Sequence, residues 1–432
     1  MKPYKISFLK RYTGLIRGVL LLPCILLCQA LHAQDPATQS RLDSLDARLR
    51  RLELRISRYS PEARSQTRSA IESGRYGGFV VSDNKGVSLE IGGYVQFDAI
   101  HDFHQTTNHD AFQPSTIVIP NDHKTNTSYT IRQTRFNFIG SVPLGKHTLK
   151  TTLEFDLFNP NGSSVPRLRH AWGEYGRLGA GQYWSNFMDI DVFPNTLDYW
   201  GPNAMVFTRQ VQIRFTQPVG KDTKIAISLE NPSGNITVPT DSGYNSLTQI
   251  PDAVLSIRHD WGGNHVKIAG VFHPLTYEMP DKDRKSTPGW GVNISGTFQL
   301  EKSKDNFVYQ AAYGEGIANY FDDIGGDGYD GIWQSPAQKL RTVPALGLMG
   351  FYDHWWSDKL STTVGWGYLT LKTKSYQPGT DFNMSQYGVG NLIWYPNTFM
   401  KVGLEYLYGY RKNINGMSAD NHRIQFSTMF KF

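Results

Sequence analysis

Basic residues recur on the polar positions of segments, between residues 128 and 217, in which polar and apolar residues alternate. They are Arg135, Lys150, Arg167, Arg169 and Arg214. A guanidinium stays charged and binds a carboxylate in a bidentate manner, so such residues along a wet wall would form a stepping path for small carboxylates. Alternatively, they pair with Glu154, Asp156 and Glu174 as structural braces. The two roles are compatible.

A second candidate site is the segment Ser185–Ala204, which mixes carboxylates with large aromatic residues. Its acids are Asp189, Asp191 and Asp198, and they lie among Phe187, Met188, Phe193, Tyr199 and Trp200. An aromatic loop is poorly suited to bulk water, so we expect it to fold inward as a constriction, with its acids facing the arginines. The alternatives are an aromatic cap over a rim or a contact between subunits.

Other motifs give weaker signals. Residues 325–333, GGDGYDGIW, resemble the calcium-binding nonapeptide of β-rolls, but a single copy cannot stack, and the segment is interpreted as a glycine-rich external loop. The twelve histidines show no H-E-x-x-H spacing, and neither a G-x-S-x-G elbow nor a Walker loop occurs. We therefore expect no metal, no cofactor and no catalytic residue.

The elements that must position these residues are strands, because the period of apolar residues is two from Tyr76 onward. For example, Val95 and Phe97 alternate with Gln96 and Asp98. The alternation predicts sixteen strands near residues 88–103, 128–142, 146–158, 166–176, 177–184, 205–217, 222–230, 251–261, 264–277, 289–302, 305–315, 341–353, 357–371, 382–395, 398–411 and 420–432.

The connections between these strands alternate between tight turns and long polar loops, which is typical of outer-membrane barrels. The long ones are expected at 104–127, 159–165, 185–204, 231–250, 278–288, 316–340, 372–381 and 412–419. The last strand ends on Phe432 and resembles the signal read by the barrel-assembly machinery. Residues 76–432 are therefore predicted to form an all-β, transmembrane antiparallel barrel of about 16 strands, wide enough for a water-filled lumen.

The N-terminus is predicted to direct export. Residues 1–33 combine five basic residues, no acid and the apolar run GVLLLPCILLC, as in a secretory signal peptide. Most of the formal charge of +6 lies in this segment, which argues against a nucleic-acid partner. Both cysteines, Cys24 and Cys28, also lie there, so the mature chain is expected to have no disulfide.

Residues 34–59 are predicted to form a short periplasmic coiled-coil helix, joined to the barrel by a linker at 60–75. Apolar residues follow one another at spacings of three and four, and the run RLRRLE resembles a trimerisation motif. The residues assigned to this trimerisation helix are Leu45, Arg48, Leu49, Leu52, Glu53 and Ile56. The alternative is an amphipathic helix that lies on its own domain.

Five stretches together form a recognisable signature: GGYVQFDAI (92–100), IRQTRFNF (131–138), LRHAW (168–172), GQYWSNFMD (181–189) and RQVQIRF (209–215). With them, nearly the whole mature chain resembles the DcaP-like trimeric porin family. The resemblance implies a sixteen-stranded trimeric barrel with a periplasmic coiled coil, and uptake of small anionic solutes such as dicarboxylates.

Together these observations predict an outer-membrane porin through which small hydrophilic solutes, and small anions such as carboxylates in particular, diffuse passively. Its expected partners are two further copies of itself, outer-membrane lipid, these solutes and, during biogenesis, the barrel-assembly machinery. The competing hypothesis is an outer-membrane barrel enzyme, or a structural tether between outer membrane and periplasm.

Overall fold

The computed structural model describes residues 79–82, 86–159, 162–238, 243–300, 303–334 and 339–432. The predicted signal peptide (1–33), coiled-coil helix (34–59) and linker (60–75) lie outside the described residues. No helix in the described part of the chain is long and apolar enough to span a membrane. Helical structure there consists of short 3-10 turns at Pro114–Thr116, Ile190–Val192 and Ala318–Tyr320.

Sixteen antiparallel strands, numbered β1 to β16 in chain order, form one closed wall. Their bounds are β1 Ser88–Asp102, β2 Asn126–Thr130 with Arg135–Leu144, β3 His147–Asp156, β4 Arg167–Tyr175, β5 Leu178–Trp184, β6 Arg209–Val219, β7 Thr223–Glu230, β8 Asp252–Trp261, β9 Asn264–Glu278, β10 Arg284–Gln299, β11 Asn306–Glu315, β12 Pro344–Ser357, β13 Leu360–Leu371, β14 Phe382–Asn397, β15 Met400–Asn413 and β16 Ser418–Lys431. The predicted all-β, sixteen-stranded barrel is confirmed.

The barrel closes where the last strand pairs with the first. β16 pairs with β1 from Tyr94↔Lys431 to Asp102↔Arg423. β16 does not extend to the start of β1. There a short strand, Phe79–Ser82, pairs with residues 88–91 instead. Closure matters because an unpaired strand edge is a template for pairing with another chain.

The two faces of each strand differ as the alternation predicts. On β1, Val95 and Phe97 are exposed on the outer face (48% and 37%), whereas Gln96 and Asp98 are buried on the inner face (2% and 0%). Apolar groups on the outside suit lipid, and polar groups on the inside suit a lumen.

Two predicted connections differ from the structure. Residues 278–288 were predicted to be a long loop, but β9 and β10 continue to the pair Glu278↔Arg284 and leave only a tight turn. Likewise, the tight turn expected at Trp355–Trp356, between the predicted strands 341–353 and 357–371, lies inside β12, and the turn follows at 358–359. Both differences arise because strands that project beyond the membrane have water on both faces and lose the apolar alternation.

Three long loops fold into the barrel: residues 103–125, 185–208, and the described parts of a third, 316–334 and 339–343. Their apolar side chains form the main buried cluster of the described residues together with the inner wall. Loop members of that cluster are Phe112, Phe187, Met188, Val192, Ala204, Met205, Val206, Ile317, Ala318, Tyr320, Phe321, Ile324, Ile332 and Val343. The hydrophobic core of this protein therefore lies inside the barrel.

Candidate functional site

Residues 185–208, here called the crossing loop, span the interior from one side of the wall to the other. Near its start, the Asn186 N–H donates to Oε1 of Glu230 on β7 (2.8 Å). Further along, the N–H groups of Leu197 and Asp198 donate to the two carboxylate oxygens of Glu405 on β15 (2.8 and 2.7 Å). β7 and β15 lie half the circumference apart in the sixteen-stranded wall. The loop therefore divides the lumen.

Two of the three predicted constriction-loop acids contact the wall at β8 to β10. Asp189 accepts hydrogen bonds from the Ser295 hydroxyl at 2.8 Å, and one of its oxygens lies 2.8 Å from Nε2 of His265. Asp191 accepts one from Arg258 at 2.6 Å. The acids thus face Arg258 and not the arginines of β2 to β6, which is a correction to the sequence-based expectation.

Asp189 lies in a dense field of charge. Burial alone would raise the pKa of its carboxyl group. The charges of His265, Arg258 and Lys267 lower this pKa by more than burial raises it, so the net shift is downward. Donor atoms of Asp189, Asp191 and His265 lie within 4.8 Å of one another, close enough for a metal ion. However, Arg258 donates to both carboxylates, so a guanidinium already compensates part of their charge.

The third predicted acid, Asp198, ties loops together. It accepts hydrogen bonds from the N–H groups of Phe112 (3.1 Å) and Gly201 (3.0 Å) and from the Tyr387 hydroxyl (3.3 Å). Burial raises the pKa of its carboxyl group to about 6, against the opposing effects of Arg423 and these backbone donors. Its geometry indicates a structural role at the point where the first inward loop meets the crossing loop.

On the other side of the lumen lies an arginine cluster, formed by Arg135, Arg167, Arg169, Glu154, Asp156 and Tyr199. Arg169 donates to Glu154 at 2.7 Å and to Asp156 at 3.0 Å. Arg167 donates to both oxygens of Asp156, at 2.9 and 2.6 Å. The cluster holds three guanidiniums and two carboxylates, so one positive charge is in excess.

Tyr199 brings the crossing loop to this cluster. Its hydroxyl donates to Asp156 at 2.6 Å and accepts from Arg167 at 2.6 Å and also from Arg169. The sequence analysis named Tyr199 only as an aromatic residue of the loop. No local signal marks it as a partner of β3 and β4, because the contact depends on the path of the loop.

A bulge sets the inward direction of Arg169. The β3–β4 register shifts between the pairs Glu154↔His170 and Phe155↔Leu168, so Arg169 has no direct partner. An extra residue of this kind redirects the side chains of a strand. As a result, Arg169 and His170 are both buried although they are adjacent in sequence.

The five predicted pathway residues differ in their access to water. Arg135 and Arg169 are fully buried, Arg135 lying 3.6 Å from Glu154. Lys150 lies 3.9 Å from Glu174 and is 43% exposed, and the Arg167 side chain is 18% exposed. Arg214 donates to Gln212 at 3.0 Å and to the Trp184 carbonyl. These contacts are those of structural braces, the alternative considered from the sequence.

Above the arginine cluster, at the end of the barrel that carries the long loops, is a vestibule of about 1020 Å³. Three guanidiniums line it, those of Arg132, Arg167 and Arg411, together with carboxylates of Asp110, Asp323 and Asp327. Arg132 pairs with Asp110. Charges of both signs therefore meet a solute in the vestibule, and the excess of positive charge lies deeper, at the cluster.

A second polar hub, which the sequence analysis missed, fixes the outer loops. His273 lies with Nδ1 2.8 Å from Asp252 and Nε2 3.4 Å from Asp330. An imidazole can donate from both nitrogens only as its cation. Asp330 also accepts from the N–H groups of Asn235 and Asn319, each at 2.8 Å. Asp330 is thus fully engaged, and the following residues Gly331–Gln334 form a strand rather than a calcium turn.

Comparison with known proteins places the chain in a family. The sequence profile described as DcaP outer membrane protein matches residues 80–432. A comparison with curated protein sequences gives no match.

Solved structures with the same fold include the outer membrane channel DcaP of Acinetobacter baumannii, with a TM-score of 0.72, 19% identity, and coverage of 82% of this chain and 99% of that one. OmpT, an outer membrane protein of Vibrio cholerae, gives a TM-score of 0.51 at 10% identity, covering 82% and 99%. An anion-selective porin from Comamonas acidovorans gives 0.53 at 8% identity, covering 80% and 100%. At these identities the likeness concerns the fold.

Proposed function

Since the chain belongs to the DcaP outer membrane protein family and is an outer-membrane porin, we propose that small hydrophilic solutes diffuse passively through its lumen, with a preference for small anions such as carboxylates. The observation that carries the anion preference is the excess guanidinium of the arginine cluster, which lies directly below the vestibule. We propose a channel without catalytic activity.

The route we propose runs from the vestibule past Arg167 to the inner face of β2 to β6. Arg167 supports this role because it lines the vestibule and also belongs to the cluster. Passage requires weak binding. Each exposed contact is worth no more than about 1 kcal/mol where water and salt screen the charges.

The first prediction concerns selectivity. Replacing Arg167 and Arg169 together with Ala should lower the anion-to-cation permeability ratio, because the cluster then holds two carboxylates and a single guanidinium. Asp189→Asn with Asp191→Asn should raise the ratio, because Arg258 then keeps only Asp260 of its three carboxylate partners. The measurement is the reversal potential of single channels in a potassium chloride gradient, with current block by succinate as a second readout.

Arg177→Ala is the matched control, since Arg177 is exposed in the β4–β5 turn and away from the cluster. All variants must first give a folded, heat-modifiable band in gel electrophoresis. Unchanged reversal potentials in both folded double variants would rule out these side chains as the selectivity determinants. A silent bilayer together with activity on lipid or peptide would favour the barrel-enzyme hypothesis instead.

We further propose the assembly that the sequence suggests. Residues 1–33 are removed on export, three copies associate in the outer membrane after insertion by the barrel-assembly machinery, and residues 34–59 form a coiled coil in the periplasm. The apolar outer face supports contact with outer-membrane lipid, as seen for Val211 and Ile213, which are 55% and 60% exposed.

The second prediction tests this assembly. Leu49→Asp should abolish the coiled coil while the barrel stays trimeric, because about two heptads contribute little beside contacts between barrel walls. Cross-linking of a cysteine placed in the helix would report the coiled coil, and light scattering in detergent would report the mass. Leu49→Ile serves as the conservative control. A monomeric Leu49→Asp barrel would contradict this ranking of the interfaces.

A further inference from the structure

A seam runs through the barrel wall between β4 and β5. These strands pair only from Ala171↔Gln182 to Tyr175↔Leu178. Beyond that point, Arg167, Leu168 and His170 pair with β3, and Tyr183 and Trp184 pair with β6. The ladder therefore ends early at the end of the barrel that carries the long loops.

A side chain occupies the seam in place of the missing ladder. Nε2 of Gln182 donates to the carbonyl oxygens of Leu168 and Arg169, at 3.3 and 2.9 Å. These carbonyls lie on the edge of β4 that faces the seam. The amide satisfies them without bringing the strands together, so the wall stays open beside it.

A cavity of about 250 Å³ lies at the seam. Leu168 and Gln182 contribute from the outer face, where Leu168 is 40% exposed and Gln182 is paired with the lipid-facing Val211. Tyr199, Trp200 and Asp322 contribute from the inward loops. Cavities of roughly 300–1,000 Å³ hold whole ligands, so this smaller one suits the headgroup of a larger molecule.

Arg209 provides an unsatisfied cation in this cavity. Its guanidinium lies 5.1 Å from the ring centroid of Trp184. Its Nη1 is buried and has no hydrogen-bond partner among the described residues. Arg169 lies 5.4 Å from the same ring, but its own carboxylates balance it. A buried charged donor without an acceptor is unfavourable, and an anion would relieve this.

We propose that the seam binds the anionic headgroup of a single-chain amphiphile from the surrounding membrane. The carboxylate or phosphate lies on Arg209, within reach of the cavity-lining Thr208, and the alkyl chain leaves past Leu168 over the apolar outer face of β4 to β6. Asp322 also lines the cavity, and its main-chain carbonyl accepts from the Trp200 indole at 3.0 Å.

The test measures binding of dodecanoate and dodecyl phosphate to the full-length protein in neutral detergent by native mass spectrometry. Arg209→Gln should weaken both by about ten-fold or more, the effect of losing a charged hydrogen bond. Arg177→Gln, which removes an exposed arginine at the other end of the same strand pair, should leave binding unchanged. Methyl dodecanoate, which lacks the charge, should bind weakly to every variant.

A second variant guards against misfolding of Arg209→Gln. Leu168→Trp narrows the outer entrance, leaves the cation in place and should weaken dodecanoate binding as well. Equal binding of dodecanoate to wild type and to both variants would overturn the proposal. So would competition by inorganic phosphate alone at the same concentration as dodecyl phosphate, which would indicate a small-anion site, or binding to the monomer but not the trimer, which would indicate that another copy covers the seam. Reversal potentials, which test the channel, are independent of these results.

Discussion

Replacement of residues 189–200 by a glycine–serine segment of equal length is expected to raise the single-channel conductance several-fold. The replaced residues include Tyr199, which contacts β3 and β4, as well as the apolar side chains that fill the space between opposite walls. A glycine–serine segment lacks the groups that make it favourable to stay inside, so it moves out into water. Displacement of the crossing loop widens the aqueous path through a sixteen-stranded barrel, although the two other inward loops remain in place.

The barrel itself should still form in this variant, because the wall ladder closes through pairs outside the crossing loop. The control is the same substitution over residues 373–380, a loop between β13 and β14 that does not cross the lumen. Conductance that stays at the wild-type value in the crossing-loop variant would mean that solutes pass elsewhere. A loss of selectivity together with the rise in conductance would place the selective step at the loop.

Arg169→Met is expected to cause the largest loss of stability of any single change considered for this protein, about 3–5 kcal/mol. The side chain is fully buried and donates to both Glu154 and Asp156. Its removal leaves two buried carboxylates that share the remaining guanidiniums of the cluster. The measurement is the denaturant midpoint of refolding into lipid vesicles, followed by tryptophan fluorescence.

The physical cause is tested by neutralising the partners. Arg169→Met combined with Glu154→Gln and Asp156→Asn should be more stable than Arg169→Met alone, since uncompensated buried charge causes most of the loss. Arg177→Met, a change of an exposed arginine, should stay within about 0.5 kcal/mol of wild type. If Arg169→Met matched that control, the idea that the cluster stabilises the barrel would be wrong.

The wall of the barrel could be predicted closely from the sequence. The alternation of Val95 and Phe97 with Gln96 and Asp98 is a local property of an extended backbone, which turns successive side chains to opposite faces. The same rule assigned Arg135, Arg167 and Arg214 to inner positions. The rule also placed Arg169 correctly on the inner face. It did not anticipate that the next residue, His170, is buried as well, because a bulge adds a residue to β4.

The candidate site was predicted in composition but not in its pairings. Ser185–Ala204 was expected to fold inward with its acids toward the arginines of β2 to β6, yet Asp189 and Asp191 meet Arg258 on β8. Arg258 occupies a polar position of its strand and so carried the same signal as Arg135. Nothing in the sequence ranks one inner arginine above another as the partner of a distant loop.

The sequence by itself therefore determined the sixteen strands, their inner and outer faces and the loop rich in acids and aromatics. Each of these depends on residues that are close in the chain. Only the tertiary structure decided that Tyr199 meets Asp156, that His273 joins Asp252 to Asp330, and that a seam beside Gln182 leaves Arg209 without an acceptor on Nη1. Those contacts depend on the course of the inward loops inside the closed barrel. The spacing of residues along a strand carries no information about that course.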